Sequence, residues 1–534
     1  MTWLLALILL PIVGALLVAG LRANDRTATL AALAVSIVEL LLIIPLWLAY
    51  DPSGERIQQA SSMEWIPAFG IHVSFGIDGI ALIMIAVIAL LVPIVIGAMN
   101  STGKLPQGRT AGGFLSLILL QEALTIAVFA ATDVFLFYVL FEIMLIPMYF
   151  LIGGYGGANR QYAAVKFFLY SFLGGLLMLA SAIGAYSLAA DRLGQGTFDW
   201  ATLVTVVREA PASTQIWLFL GFFLAFAIKA PLVPFHTWLP DAAGQAPIGV
   251  TVLLVGVLDK VGTFGFLRYC LPMFPEASRQ LAPLVLVLAV VGIIYGSILA
   301  AGQRDMKRFV AYVSIAHFGF IALGIFAFTP QAVAGSATYM LNHSIATGML
   351  ILVVGIVAAR GGSTRIADYG GMFKVTPILG GMLLIAGLST LSLPGTNSFI
   401  SEFLVLLGAF ETRPAYAIVA TIGMVLAAAY VLWLYQRIMT GPVRGDALVG
   451  VWDNTAARSA SVAGGGGSQV GGGPGTAAAP EIGAKKAIRD LSKKEIAVLA
   501  PLVVLIVVLG FYPKPVLDTV TPSVNATVAA VQER

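Results

Sequence analysis

The chain has 534 residues, of which 59% are hydrophobic and 10% are charged, and its net charge is +4. Soluble domains use about 25% charged residues, so this sequence lacks the polar side chains that a water-facing globule needs. The small positive charge is typical of basic loops beside a membrane and does not indicate nucleic-acid binding. Cys270 is the one cysteine, which excludes an internal disulfide, and no Cys/His cluster has metal-ligand spacing. We therefore expect an integral membrane protein that binds no metal or cofactor of its own.

Apolar stretches of about 20 residues, the length that crosses the hydrocarbon layer, recur along the chain. The first, Met1–Gly20, lacks the positive start and the cleavage site of a signal peptide, so we expect a retained spanning helix. Thr132 and Asp133 separate the fourth and fifth stretches and are typical N-cap residues. The sequence predicts an all-α membrane protein with about fourteen spans, numbered helix 1 to helix 14: 2–21, 28–50, 77–99, 112–131, 133–153, 163–190, 215–235, 245–270, 281–301, 307–328, 334–359, 377–407, 414–438 and 495–513.

Prolines interrupt two of these spans. Pro231 and Pro234 follow the apolar part of helix 7, ahead of Pro240, and Pro394–Gly395 lies within helix 12. Such breaks occur in a membrane mainly where the freed carbonyl groups face protein or a wet cavity. The breaks are five helices apart, which predicts two inverted five-helix repeats, helices 4–8 and helices 9–13. Inverted repeats with broken helices are typical of transporters.

The domain organisation follows from these elements. We expect helices 1–3 in 1–111, the first repeat in 112–270, the second in 281–438, a Gly-rich cytoplasmic loop in 439–494, and the last span with a tail in 495–534. Within the loop, 441–480 has the composition of a disordered segment, and 481–494 fits either an interfacial amphipathic helix or a charged linker. Twenty of the 30 Lys and Arg residues fall in loops on one side and eight on the other, which predicts that both termini are outside.

Ionisable residues lie within several spans, where a charge costs at least about 2.5–3.5 kcal/mol. Glu142 is in the middle of helix 5, and Lys229 comes two residues before the first proline of the helix 7 break. An ion pair between them would form a charge-controlled proton gate, although each residue also fits a structural role. Lys260 in helix 8 has no fixed partner and is poised to titrate. Glu402 follows the helix 12 break, and we expect it to have a role in the second repeat like that of Lys229 in the first.

Histidines complete this set. His317 and His343, in helices 10 and 11, titrate near neutral pH and can relay protons, but a lone buried histidine is as often a packing residue. The sequence therefore predicts a proton relay made of Glu142, Lys229, Lys260, His317, His343 and Glu402.

Other ionisable residues have less definite assignments. Asp259 adjoins Lys260 and either pairs with another helix or lies near Lys260, because neighbours on a helix point about 100° apart. Glu122 in helix 4 is a candidate entry-path residue, and His236 beside the helix 7 break fits a structural role better than a relay role. Asp78 and Asp133 lie near helix ends and are expected to be caps or interfacial residues. Glu39 in helix 2 has no assigned role.

Four motifs around these residues resemble the antiporter-like membrane subunits of respiratory complex I. They are FEIMLIPMYFLIGGYG at 141–156, KAPLVPFHTWLPDAAGQAP at 229–247, LLVGVLDKVGTFGFLR at 253–268 and LSLPGTNSFISEF at 391–403. The resemblance covers roughly 70–440 and implies that Glu142, Lys229, Lys260, His317 and His343 match the family's functional positions. It also implies the chain M type, because glutamate at the position of Glu402 distinguishes that type from two sister subunits with lysine.

The resemblance implies a proton-translocating subunit of a bacterial NADH-quinone oxidoreductase in the inner or plasma membrane. FMN, iron–sulfur clusters and quinone would then belong to partner subunits, and this chain would carry out no redox chemistry. Other membrane-arm subunits, including the sister antiporter-like subunits, would contact it laterally within the lipid bilayer. Two features depart from the family: Asp259 stands where an apolar residue is expected, and the Gly-rich 441–480 segment is unfamiliar.

Three other functions remain open on the sequence alone. The large subunit of a multi-subunit sodium/proton antiporter shares the Glu142 and Lys229 pair, but Glu402 is not expected there. A membrane subunit of a hydrogenase-type complex is the second. The third is a non-transporting scaffold whose buried charges only hold helices together, so that replacing Lys229 or Glu142 would impair assembly instead of pumping.

Overall fold

The computed structural model of the protein describes residues 3–21, 24–445, 447–448 and 488–532. Within these ranges, thirteen helices are long and apolar enough to cross a membrane, and helix 12 consists of two shorter halves. The fourteen predicted spans are therefore confirmed in order. The spans are Trp3–Gly20, Asp25–Leu48, Gly79–Thr102, Ala111–Ala130, Val134–Tyr155, Arg160–Leu193, Ala212–Lys229, Ile248–Met273, Pro275–Ala301, Met306–Ile325, Pro330–Gly361, Pro377–Thr390 with Asn397–Thr412, Pro414–Met439 and Lys493–Phe511.

The centre of the bundle is formed by helices 8 and 11, whose most apolar stretches are completely buried. Helices 3 and 10 pack around them and are almost as buried, whereas helices 1, 2, 6 and 14 bury much less of their length. A helix that is apolar on all sides belongs in a core or a membrane. The outer helices accordingly expose large apolar side chains such as Leu16, Leu173 and Val504. The central helices are those that carry Lys260, His317 and His343.

A β-hairpin between helices 2 and 3 was not predicted and qualifies the all-α class. Strand β1 (Gln58–Ile66) pairs antiparallel with strand β2 (Ile71–Ile77). Their connection contains Gly70 at φ +60°, a conformation that glycine adopts without strain. The hairpin leads directly into helix 3 through Asp78.

Asp78 and Asp133 are helix caps, as predicted. The Asp78 carboxylate accepts a hydrogen bond from the Ala81 backbone at 2.9 Å and also lies 3.2 Å from the Arg268 guanidinium, with both side chains buried. Asp133 accepts from the backbone of Phe135 and Leu136, and a further hydrogen bond from the His72 backbone ties the hairpin to helix 5. These acids satisfy the free N–H groups of a helix start.

The helix 7 break lies where the prolines predict it. The helix ends at Lys229, and Trp238–Gln245 forms a short separate helix. Trp238 closes the break because its indole N–H donates to the Ile228 carbonyl at 2.9 Å.

Asp241 anchors the short helix after the break, since its carboxylate accepts from Lys166 of helix 6 at 2.8 Å and from Arg308 of helix 10 at 2.9 Å. Burial alone would raise the pKa of Asp241, but these two cations outweigh it and hold the pKa below its usual value. The stabilisation by this cluster is therefore present at neutral pH and is lost as the pH falls through that lowered pKa.

The helix 12 break, also predicted, is fastened to helix 11 by two asparagines. Asn342 donates to the Asn397 carbonyl at 2.8 Å, and the Asn397 amide donates to the Asn342 carbonyl at 3.1 Å. Ser389 donates to the Asn397 side chain at 2.7 Å. Gly395, at φ +93°, forms the turn between the halves. These side-chain hydrogen bonds join the two halves of helix 12 to each other and to helix 11.

Helix 8 departs from the regular helix that its sequence predicts. Leu254–Leu258 and Phe266–Cys270 are π-helical, with wider turns than the α-helical segments beside them. The first π segment frees carbonyl groups for side chains: Lys260 donates to Val255, and Ser344 of helix 11 donates to Gly256. Single π turns in helices frequently mark functional sites.

The segment after helix 14, predicted only as a tail, forms a helix, Lys514–Gln532. It packs against helices 3 and 11. Arg279 donates to the Val531 carbonyl at 2.6 Å, and Arg56, just before strand β1, donates to Thr527 at 2.8 Å. The C-terminal helix therefore packs on the side of the molecule where the hairpin lies.

The Gly-rich 449–487 segment lies outside the described residues, as does the 481–487 part of the predicted amphipathic stretch. Residues 488–492 are not helical, and helix 14 begins at Lys493 after a capping box between Ser492 and Glu495. Asp490 accepts from the backbone of Ile378 and Leu379 at 2.8 and 3.0 Å. The end of the loop thus caps the first half of helix 12.

Candidate functional site

Lys260 is at one end of a fully buried polar row. Its ammonium lies 2.7 Å from His343 Nδ1, and it also donates to the Val255 carbonyl that the π segment frees. The ring of Phe318 lies 5.1 Å from the nitrogen and adds a cation–π contact. The sequence predicts no fixed partner for Lys260, but in the structure His343 of helix 11 is its hydrogen-bond acceptor.

The row continues from His343 across helices 10 and 11. The rings of His343 and His317 are perpendicular, with centres 5.2 Å apart, and the His317 ring lies 5.8 Å from that of Tyr339. The Tyr339 hydroxyl donates to Glu402 at 2.9 Å. All five residues from Lys260 to Glu402 are buried. Four of the six predicted relay residues thus meet in one row, and Tyr339 joins them.

Glu402 is held by the break in its own helix. The Ser392 hydroxyl donates to the same carboxylate oxygen as Tyr339, at 2.5 Å. Ser392 adopts φ +60°, a conformation that costs free energy for a residue other than glycine. Glu402 lies on the half of helix 12 that follows the break, whereas Lys229 ends the half of helix 7 that precedes its break. The two residues therefore lie on opposite sides of their breaks in chain order.

Glu142 and Lys229 are not in direct contact, so the predicted ion pair is wrong for this structure. Lys229 Nζ and Glu142 Oε1 have no hydrogen-bond partner among the described residues. The ammonium lies between the rings of Phe141 and Phe167, at 5.4 and 5.1 Å. The two charges still attract each other across the separation. A small movement of Glu142 or Lys229 would therefore change the electrostatic environment of a lysine that is completely buried.

Gly175 determines where the Glu142 carboxylate lies. A Cβ atom at Gly175 would be 1.5 Å from Glu142 Oε1, so only glycine leaves room for this carboxylate against helix 6. Glu142 is half-buried, unlike the rest of the row, and so reaches the side of the bundle.

Asp259 lies near both lysines, which resolves the alternatives that its sequence position left open. Its carboxylate interacts electrostatically with Lys260 and with Lys229 of helix 7. Lys229 is attracted by both Asp259 and Glu142. Helices 7 and 8 approach closely here, since a Cβ at Gly262 would be 2.5 Å from the backbone of Ala230 and Phe226.

The other candidate residues lie away from the row. His236 is in the helix 7 break and packs against Tyr295, with ring centres 5.2 Å apart. Glu122 is fully buried beside Glu39, which is also fully buried, and their side chains interact between helices 4 and 2. Two adjacent carboxyl groups cannot readily both ionise. Glu39 and Glu122 therefore form a separate acid pair.

We expect Gly175→Ala to displace Glu142 while leaving the bundle assembled. Because a shift of about 1 Å at a reacting group can cost about 10²-fold in rate, proton pumping is expected to fall by up to that factor. Gly184→Ala is the matched control on helix 6, because its Cβ would meet only the end of the Leu218 side chain, at 2.6 Å. Pumping measured in membrane vesicles should fall for Gly175→Ala and stay near wild type for Gly184→Ala; equal pumping by both would contradict the assignment.

Sequence reasoning missed Tyr339, Ser392 and Gly175. Tyr339 is four residues before His343 and so lies on the same face of helix 11, which is a signal that could have found it. Gly175 belongs to a Gly–Gly pair in helix 6, a pattern that permits close approach of another group. Ser392 has no comparable signal, because its contact with Glu402 depends on the path of the chain through the break.

Comparisons with known proteins identify the family of the chain. The family described as NADH:quinone oxidoreductase/Mrp antiporter, TM, matches residues 131–427. NADH-quinone oxidoreductase subunit M of Mycobacterium tuberculosis is 43% identical, over 99% of this chain and 94% of that protein. A chain in the structure of respiratory complex I from Thermus thermophilus with bound NADH is 30% identical, with a TM-score of 0.82 and 99% of both chains covered.

A chain of the Mrp complex from Dietzia sp. DQ12-45-1b is 20% identical, with a TM-score of 0.78, and this protein spans 52% of its length. That likeness shows a shared fold. The near-complete coverage and the higher identities connect the sequence to subunit M instead. The chain therefore belongs to the NADH:quinone oxidoreductase/Mrp antiporter membrane family and, within it, to the subunit M proteins of NADH-quinone oxidoreductase.

Proposed function

We propose that this chain carries protons through the buried row from Glu142 and Lys229 to Lys260, His343, His317, Tyr339 and Glu402. The observation that carries the proposal is the 2.7 Å contact between Lys260 and His343, continued through touching rings to the hydrogen bond between Tyr339 and Glu402. Ionisable residues inside a membrane bundle are expected to mark ion or proton pathways.

The chemistry of the row suits proton exchange. Lysine and histidine both exist as charged and neutral species, and His343 can accept at Nδ1 a proton that Lys260 releases. Neither ring nitrogen of His317 has a hydrogen-bond partner among the described residues, so proton transfer on either side of His317 requires a ring rotation or a bridging water. Tyr339 links the last ring to Glu402 through a single hydroxyl.

Under this proposal, Glu142 controls the row from the side of the bundle. Its attraction to Lys229 across a gap supports a role in which its charge favours the ammonium form, and loss of that charge favours the neutral amine. Because Glu142 is half-buried in the isolated chain, a neighbouring subunit can influence it directly. This position supports a signal or proton that arrives laterally from a sister subunit.

The driving reaction belongs to other subunits under this proposal. FMN, iron–sulfur clusters and quinone are bound by partners that oxidise NADH and reduce quinone, and this chain supplies a proton channel in the bacterial plasma membrane. The distribution of Lys and Arg supports cytoplasmic basic loops and both termini outside. The helix breaks support two inverted repeats, helices 4–8 and 9–13.

Purification of the intact complex through a tag on this chain tests the function. We expect flavin- and iron–sulfur-containing subunits to copurify, and vesicles that contain the complex to acidify on addition of NADH and quinone without sodium. A protonophore should abolish the acidification. Purification with small sodium-coupled partners and no redox subunits would contradict the proposal and favour the sodium/proton antiporter.

A further inference from the structure

Asp259 lies at the junction between the two parts of the proposed relay. On one side, the Lys229 ammonium contacts aromatic rings and has no hydrogen-bond acceptor among the described residues. On the other side, Lys260 begins the row that leads to Glu402. Asp259 is the neighbour of Lys260 in sequence and attracts both ammonium groups.

The environment of Asp259 lacks the features of a purely structural carboxylate. The side chain is completely buried, and both oxygens lack a hydrogen-bond partner among the described residues. The structural acids Asp78 and Asp133, by contrast, accept hydrogen bonds from helix N-termini. A buried carboxylate without such donors is costly to keep charged, which supports a functional role for Asp259.

The close approach of helices 7 and 8 explains how one carboxylate serves two lysines. Gly262, three residues after Asp259, leaves room for the backbone of Ala230, the residue that follows Lys229. Asp259 follows directly on the π-helical turn Leu254–Leu258, and its backbone N–H donates to the Leu254 carbonyl. The widened turn and the glycine contact together place Asp259 beside the end of helix 7.

We propose that Asp259 is a proton-carrying member of the relay that transfers protons between Lys229 and Lys260. The groups are not hydrogen-bonded in this structure, so each transfer requires a side-chain rotation or one bridging water. In the first step, an N–H bond of the Lys229 ammonium breaks and an O–H bond forms on the Asp259 carboxylate, which leaves a neutral amine and a neutral acid. In the second step, that O–H bond breaks and an N–H bond forms on neutral Lys260, which restores the carboxylate. Each step moves one proton and conserves charge.

This inference rests on the proposed relay, and its test uses the intact complex in vesicles. We expect Asp259→Asn to assemble and to lower NADH-driven proton pumping by at least about tenfold, since proton transfer by a positioned side chain contributes about 10²–10⁴-fold. Asp259→Glu, which keeps the carboxyl group, should retain most of the pumping. Wild-type pumping by Asp259→Asn would overturn the inference, whereas wild-type pumping by Lys260→Met would overturn the relay itself.

Infrared difference spectroscopy separates proton carriage from a fixed charge. During turnover, the wild-type complex should show a carbonyl stretch of a protonated carboxyl group that shifts in D2O. This band should disappear in Asp259→Asn and change frequency in Asp259→Glu. If Asp259→Asn fails to assemble, an unchanged band in Asp259→Glu would overturn the inference. Loss of pumping in Asp259→Asn with the band intact would also overturn it, because Asp259 would then act only as a charge.

Discussion

Proton pumping is expected to fall by at least about 10²-fold in complexes that carry Lys260→Met, because a positioned proton-transfer group contributes about 10²–10⁴-fold. Lys260 lies between the two parts of the proposed relay and contacts His343 Nδ1 at 2.7 Å. Quinone reduction that is coupled to pumping should fall with it. The initial rate of NADH-driven acidification in vesicles, normalised to the amount of assembled complex, measures the effect.

The variant should still assemble. Methionine has a similar length and volume, and normalising acidification to the amount of assembled complex separates a loss of pumping from a loss of assembly. Lys260→Arg is the informative control, since a guanidinium keeps the charge but does not release its proton. Both variants should be inactive. Normal pumping by Lys260→Arg would show that a fixed charge suffices, contrary to the relay.

Glu142→Gln is expected to lower pumping by about 10²-fold as well, for a different reason. Glutamine has nearly the same shape and fits against Gly175, but it carries no charge to act on Lys229 across the gap. The complex should assemble with unchanged subunit content. Vesicle acidification and NADH:quinone reductase activity together measure the loss.

Glu209→Gln is the matched control for this substitution. Glu209 lies outside the row, is mostly exposed and pairs with Arg192 at 3.0 Å, an arrangement worth at most about 1 kcal/mol. Its variant should pump normally. If Glu142→Gln also pumped normally, or if it lowered only the yield of assembled complex, the scaffold function considered for this chain would account for Glu142 better.

The spans and their breaks could be predicted because they depend on local composition. A run of about 20 apolar residues is long enough to cross the membrane. Pro231 and Pro394 mark the two breaks because proline removes a backbone donor and clashes with the preceding turn. The caps Asp78 and Asp133 follow from the same local rules. The hairpin was missed because it is short and carries several polar residues between two strong helical signals. The π segments of helix 8 and the C-terminal helix were missed because their contacts come from distant parts of the chain.

In the candidate site too, local sequence identifies the charged residues but not their partners. Lys229, Lys260 and Glu402 could be identified because they are charged residues within apolar runs. Burying a charge in a membrane costs free energy and is therefore usually functional. Their partners depend on tertiary packing: Tyr339 and Glu402 are 63 residues apart in the chain, and Lys260 and His343 are 83 apart. The predicted contact between Glu142 and Lys229 is wrong for the same reason: the Glu142 carboxylate occupies the space that Gly175 leaves on helix 6.

Tyr339→Phe tests most directly whether the row is one continuous path, because it removes a single hydroxyl and keeps the ring against His317. A hydrogen bond to a charged group is worth about 1.5–3 kcal/mol, which corresponds to roughly 10- to 100-fold in rate. The measurement is NADH-driven acidification by assembled complex in vesicles. We predict a fall of that size, and pumping at the wild-type rate would contradict a path that runs through Tyr339 to Glu402.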